Sequence, residues 1–160
     1  MMTTRRKLLT ALAGLAGGAL LSRKASAQQD SAETLRFPGD PTEHNVIYQM
    51  NKSSEQYHDA VLFSVGEMLR KYGDNITIVV TAFGPGIHLL AKKPERMVSE
   101  KNKQTVKSLA AYGVKFHACG NTMDSLGWNK SHLYDFAEIV QVGAADLLEH
   151  QEKGFAYISL

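Results

Sequence analysis

Ile76-Thr77-Ile78-Val79-Val80-Thr81 is a run in which every residue is β-branched. Its nearly continuous apolar character fits a central strand covered on both faces better than a strand with one solvated face. Strands of that kind belong mainly to parallel sheets, whose successive strands are joined by crossovers, usually helices. The sequence on either side of this run therefore has to supply helices.

Upstream, Val46-Ile47-Tyr48-Gln49-Met50 is a short β-prone run. Tyr57, Val61, Val65, Met68, Leu69 and Tyr72 then recur at helical spacing, with Ser53 and Gln56 placed for a capping box and Gly73 for a stop. Downstream, Ala82-Phe83-Gly84-Pro85-Gly86 breaks the strand into a loop, and Ile87 to Ala91 is expected to form one or two helical turns. Ser99 to Tyr112 reads as a helix with Thr105, Val106, Leu109 and Ala110 inward, Lys101, Lys103 and Lys107 solvated, and Gly113 closing it. Val114 to Cys119 is the third strand, followed by a loop from Gly120 to Trp128 with a short helix inside it. Glu138 to Val142 is the fourth strand, Ala144 to Lys153 a helix with Ala144, Leu147, Leu148 and Gln151 on one stripe, and Phe155 to Ile158 the fifth strand. Trp128, Tyr134 and Phe136 are expected in ordinary core packing. This alternation predicts an α/β fold: a doubly wound, three-layer α/β/α sandwich around a five-stranded, mainly parallel sheet.

The first 27 residues read differently. Thr4-Arg5-Arg6-Lys7 is a basic start, Leu8 to Leu21 a short apolar stretch, and Ala25-Ser26-Ala27 a small-residue cleavage site. Spanning a bilayer takes about 20 apolar residues, so a signal peptide cut after Ala27 is expected rather than a stable membrane anchor. The paired arginines fit the twin-arginine route of bacteria, although Leu8 and Thr10 stand where an aromatic and a lysine are commoner, and the ordinary secretory route stays open. The expected localisation is the bacterial periplasm. Residues 28–44, broken by Pro38, Gly39 and Pro41, read as a flexible lead, and residues 45–160 as one domain with one core.

Residues 1–27 hold five of the 18 Lys and Arg and none of the 16 Asp and Glu, so the remaining body carries a net charge of −3. A mildly acidic body has no electrostatic footprint for nucleic acid. The chain has a single cysteine, Cys119, which excludes an internal disulfide and a Cys-x-x-Cys dithiol.

In open parallel sheets, ligands bind outside the carboxyl ends of the strands. Cys119 ends the third strand and Gly84-Pro85-Gly86 follows the second, so both fall on that edge. A thiol there faces the unpaired N–H groups of Gly120, Asn121 and Thr122, which favour thiolate, and Gly120 lets the backbone come close to a ligand. Placement alone leaves both a reactive thiol and a buried structural cysteine open. His117 shares the strand face of Cys119, two residues away, and His88 lies across the same edge. A Cys–His pair or a metal site is the sharper interpretation. The favoured one has His117 packing under a helix and His88 starting a helical turn, because no His-x-x-x-His spacing is present. No metal and no cofactor are expected.

Three stretches resemble the DsrE/DsrF-like family: Ala82-Phe83-Gly84-Pro85-Gly86-Ile87-His88-Leu89-Leu90, Leu147 to Ile158, and, most specifically, Gly113-Val114-Lys115-Phe116-His117-Ala118-Cys119-Gly120-Asn121-Thr122-Met123. The resemblance covers most of residues 45–160 and is closest to exported or small stand-alone members. It implies a flavodoxin-like fold, assembly into homotrimers or homohexamers, and a cysteine that carries sulfur as a persulfide between partner proteins. On this chain the carrier is Cys119, and Gly84, Gly86, His88, Asn121 and Thr122 are candidates for the pocket around it. The export signal and the lack of a second, resolving cysteine depart from the cytoplasmic relays of the family. The function expected is thus a periplasmic sulfur carrier or sulfurtransferase accessory exchanging sulfur with a donor and an acceptor protein or small thiol. A non-enzymatic ligand-binding or assembly protein and a thiol redox sensor remain as alternatives.

Overall fold

Strands and helices alternate along the residues that the computed structural model describes, 40–160. They are β1 (His44–Met50), α1 (Glu55–Tyr72), β2 (Ile76–Ala82), α2 (Glu100–Ala111), β3 (Lys115–Cys119), α3 (Gly120–Leu126), β4 (Ala137–Val140), α4 (Gly143–Glu152) and β5 (Ala156–Ile158). Two 3-10 segments, Gly84–Leu90 and Lys130–His132, complete the order. The expected signal peptide, residues 1–27, and most of the expected lead lie outside the described residues.

All strand pairs are parallel, in the order β4-β3-β2-β1-β5. From β1 to β4 the chain steps one way across the sheet, and it then returns past β1 to lay down β5. Parallel crossovers are right-handed, so reversing direction moves the connecting helix to the opposite face. One face carries the main core: Tyr48, Ile78, Val80 and Phe116 of the sheet pack with Val61 and Val65 of α1 and Val106 and Leu109 of α2. On the other face Ile47 and Val79 meet Leu147 of α4, edged by Phe83 and Phe155. The sandwich has its three layers, but they are unequal.

The strand at 76–81 is central and buried on both faces, as its β-branched run predicts. Other expectations are corrected. The first helix begins at Glu55 with Ser54 at its cap and no side-chain capping bond, so Ser53 and Gln56 form no capping box. Gly120 to Trp128 is not a loop with a helix inside it, since α3 starts directly on Gly120. Asn102 joins Val106 and Leu109 on the buried side of α2. In α4 the buried residues are Gly143, Asp146 and Leu147, while Leu148 is 56% exposed. A polar residue takes the inward place there because its partners lie on the sheet beneath it.

Gly86 is fixed by close approach rather than by backbone conformation. A Cβ at this position would stand 2.1 Å from the carbonyl oxygen of Met50, the last residue of β1. The obstacle is backbone, so no side-chain rotation relieves it. Gly86→Ala is expected to destabilise the fold by about 3 kcal/mol or more, measured as a drop in the urea midpoint; an unchanged midpoint would show that the 3-10 segment yields freely.

His58 on α1 is fully buried, and its Nε2 donates to the Lys52 carbonyl at 3.0 Å. That fixes the neutral tautomer, with Nδ1 left without a partner among the described residues. Burial holds the imidazole below its ordinary value of 6.5, against the smaller opposing pull of the Lys52 carbonyl. The unfolded chain thus binds the proton first, so stability falls as pH drops from about 6.5 towards the lower folded value. Unfolding free energy measured across that interval is expected to decline more steeply in the wild type than in His58→Gln; parallel profiles would refute the assignment.

Candidate functional site

Cys119 closes β3 and occupies the N-cap position of α3, at the carboxyl edge of the sheet. Its Sγ lies 3.3 Å from the amide nitrogen of Gly143, the first residue of α4, and 3.9 Å from the Gln141 carbonyl, to which the thiol can donate. On the α3 side Cys119 makes no side-chain capping bond, and the Asn121 amide is committed to the Gln141 carbonyl, so the Thr122 hydroxyl and the α3 amides act on the thiol through their partial charges. Two helices, one from each outer layer, therefore begin beside this residue: α4 through the Gly143 amide on the sulfur, and α3 through the backbone of Cys119 as its N-cap. Burial pushes the Cys119 thiol up, but the Thr122 hydroxyl and the Gly143, Thr122 and Asn121 amides together outweigh it and hold the thiol below its ordinary range.

The glycine-rich loop acts through Thr122. Gly84 N–H donates to Thr122 Oγ1 at 3.0 Å, which engages the oxygen as an acceptor and holds the hydroxyl in place. Gly84 itself sits at φ +49°, a conformation other residues adopt rarely. Across the sulfur, Gly120 makes room for Gln141: a Cβ on Gly120 would stand 3.1 Å from Gln141 Oε1. The Asn121 amide donates to the Gln141 carbonyl at 3.0 Å, and Gln141 Nε2 donates to Asn121 Oδ1 at 2.8 Å, so the β4–α4 turn is strapped to α3.

Of the residues singled out in the sequence, Asn121 is bound to Gln141, Thr122 to Gly84, Gly120 makes room for Gln141 beside Cys119, and Gly86 belongs to the packing under β1. His88 is 3% exposed and lies in the wall of a neighbouring cleft of about 390 Å³ with Gly84, Arg96, Asn121, Thr122 and Ser125. Cys119 is not part of that wall. The His88 ring meets the Trp128 ring edge-on at 5.0 Å, and its buried Nδ1 has no partner among the described residues. Burial first, and then the positive charge of Arg96, hold the imidazole below its ordinary range. His117 packs beneath α4, as the favoured interpretation has it, with Nδ1 2.8 Å from Asp146 Oδ2, but His88 does not start a helical turn: the 3-10 segment begins at Gly84 and His88 lies near its end. Trp128 and Tyr134 are buried as expected, and Trp128 Nε1 donates to Glu95.

Gly143 and Gln141 are the contributors that the sequence does not disclose. The available signal is a glycine opening a helix just after a parallel strand, on the same edge as Cys119. A Cβ on Gly143 would stand 3.2 Å from the Cβ atoms of both Cys119 and Phe83, so small size at this position brings the α4 amide to the sulfur. No helix among the described residues is long and apolar enough to cross a membrane.

Replacing the Thr122 hydroxyl tests the arrangement. Thr122→Val is expected to move the thiolate absorbance titration of Cys119 to higher pH and to slow its alkylation at neutral pH, while Thr122→Ser, which keeps the hydroxyl, follows the wild type. A Thr122→Val titration that overlays the wild type would mean that the amides alone hold the thiolate.

The DsrE/DsrF-like family model matches residues 44–160. Among solved structures, a protein of unknown function from Methanobacterium thermoautotrophicum, MTH1491, is similar in fold at 23% identity and TM-score 0.67, covering 74% of this chain and all of its own. The YchN protein of E. coli is similar at 14% identity and TM-score 0.58, covering 73% of this chain and 99% of its own. BT1422 from Bacteroides thetaiotaomicron is similar at 12% identity and TM-score 0.55, covering 72% of this chain and 94% of its own. No curated protein matches the chain.

Proposed function

Because the chain belongs to the DsrE/DsrF-like family, we propose that it is a sulfur carrier of the bacterial periplasm, holding sulfur as a persulfide on Cys119. The observation that carries this reading is the Gly143 amide, at the start of α4, donating to Cys119 Sγ at 3.3 Å at the carboxyl edge of the sheet, which with the nearby Thr122 hydroxyl favours the thiolate. Thiolate is the form that attacks sulfur.

The exchange needs one cysteine. The Cys119 thiolate attacks the outer sulfur of a donor persulfide, forming an S–S bond as the donor thiolate leaves. An acceptor thiolate then attacks that outer sulfur, and Cys119 departs as thiolate onto the same donors. No net oxidation occurs, so no cofactor and no resolving cysteine enter the cycle. Donor and acceptor are proteins or small thiols, and export rests on the Thr4-Arg5-Arg6 start and the Ala25-Ser26-Ala27 site. Homo-oligomeric assembly belongs to the same proposal, supported by the apolar side chains of Ile139, Val142, Leu148 and Tyr157, each at least 41% exposed.

Intact-mass measurement after exposure to polysulfide tests the proposal. The wild type is expected to gain sulfur that a reductant or an acceptor thiol removes, and folded Cys119→Ser to gain none. If Cys119 alkylates readily yet takes up no sulfur, the carrier reading falls and ligand binding in the adjacent cleft replaces it.

A further inference from the structure

On the sheet face that α4 covers, three side chains with metal-binding atoms meet away from the sulfur. Asp146 and His150 stand four residues apart on α4 and so project from the same side of the helix. His117 reaches them from β3, with Nδ1 2.8 Å from Asp146 Oδ2, and His150 Nδ1 is 3.2 Å from Asp146 Oδ1. One ligand atom from each residue lies within 4.8 Å of the other two. We propose that His117, Asp146 and His150 form a binding site for a divalent transition-metal ion of the zinc class.

Bonds of about 2.0–2.2 Å in a tetrahedral site place ligand atoms roughly 3.4 Å apart. The two contacts to Asp146, 2.8 and 3.2 Å, are already at or inside that spacing, and the widest separation in the cluster, within 4.8 Å, has to close towards it. The side chains are 9%, 7% and 15% exposed for His117, Asp146 and His150, so an ion among them meets little competing water. Two imidazoles and a carboxylate suit zinc, cobalt, nickel or cupric ions rather than calcium or magnesium, which prefer all-oxygen sets.

The surroundings are those that orient ligands. Thr81 Oγ1 donates to Asp146 Oδ2 at 2.5 Å, and Glu138 Oε2 stands 3.9 Å from His117 Nε2. At 3.9 Å Glu138 is beyond hydrogen-bond reach of His117 and supplies only a nearby negative charge, so the bond that orients a ligand here is the one from Thr81 to Asp146. His150 Nδ1 now donates to the Asp146 main-chain carbonyl at 2.7 Å, so an ion bound through Nδ1 displaces that proton and uptake weakens in acid. The cluster has no His-x-x-x-His spacing because its helical pair is Asp146-x-x-x-His150 and its third member comes from a strand.

Calorimetric titration of the folded mature chain with Zn²⁺, and Co²⁺ absorption as a report of ligand geometry, test the site. One ion per chain is expected, with Cys119→Ser unchanged, since the sulfur lies outside the cluster. Substituting residues around a metal costs about 10–100-fold in affinity, so His150→Gln and His117→Gln should each weaken binding by at least about tenfold. Zn²⁺ should raise the thermal midpoint of the wild type and leave those two variants unmoved. His150 is the least buried of the three, and circular dichroism of His150→Gln checks that its fold is retained. Failure of the wild type to take up one ion, binding undiminished in His150→Gln, or loss of binding in Cys119→Ser would each overturn the proposal and leave the cluster as a hydrogen-bonded anchor.

Discussion

The thinner layer of the sandwich hangs on one buried carboxylate. Asp146 is 6% exposed, and burial pushes its carboxyl up, yet hydrogen bonds from His117 and Thr81 and the charges of His117 and His150 outweigh that and hold it below the usual carboxylate range. An unpartnered carboxylate at this depth would cost several kcal/mol. Its partners come from two adjacent strands, β2 and β3, and α4 can satisfy both from one position. The apolar contact on this face is modest, with Ile47, Val79 and Leu147 at its centre, so the polar anchor sets where the helix lies. Gly143 is three residues before Asp146, about one helical turn. Fixing Asp146 on the sheet therefore fixes the amide that meets Cys119.

That dependence explains which parts of the fold the sequence discloses. β2 is legible because all six residues at 76–81 are β-branched, and a strand buried on both sides needs no partner to reveal it. The buried stripe of α4 is not, because hydrophobic spacing pairs Leu147 with Leu148, whereas the inward place of Asp146 is decided by Thr81 and His117, 65 and 29 residues away. The helix after Cys119 is hidden for a related reason. Gly120-Asn121-Thr122-Met123-Asp124-Ser125-Leu126 has no apolar period, and beyond Gly120 only Met123 of this segment is buried.

The site divides along the same line. Cys119, Asn121 and Thr122 are neighbours in the chain, so the end of β3 places them together. Gly143 is 24 residues further on and reaches the sulfur because β3 and β4 pair with Cys119 opposite Val140. No local pattern encodes that register. His88 is the converse case: it falls on the correct edge, but its 3-10 segment turns it towards Trp128 and the neighbouring cleft rather than towards the thiol.

A thiol that carries sulfur has two opposing requirements. To accept sulfur it must be an effective nucleophile, and nucleophilicity falls as the pKa falls; to release sulfur it must leave readily, which improves as the pKa falls. A site that only lowered the pKa would favour release at the expense of capture. Here burial and the hydrogen-bond donors act in opposite senses on Cys119, and the donors prevail without leaving burial idle. The donors are also separable: the α4 amide rests on the Asp146 anchor and the Thr122 hydroxyl on Gly84. Moving α4 at the anchor would change one contribution and leave the other in place. In the proposed carrier, the buried network is thus the place from which the balance between capture and release would be adjusted, without any change in the residues that follow Cys119.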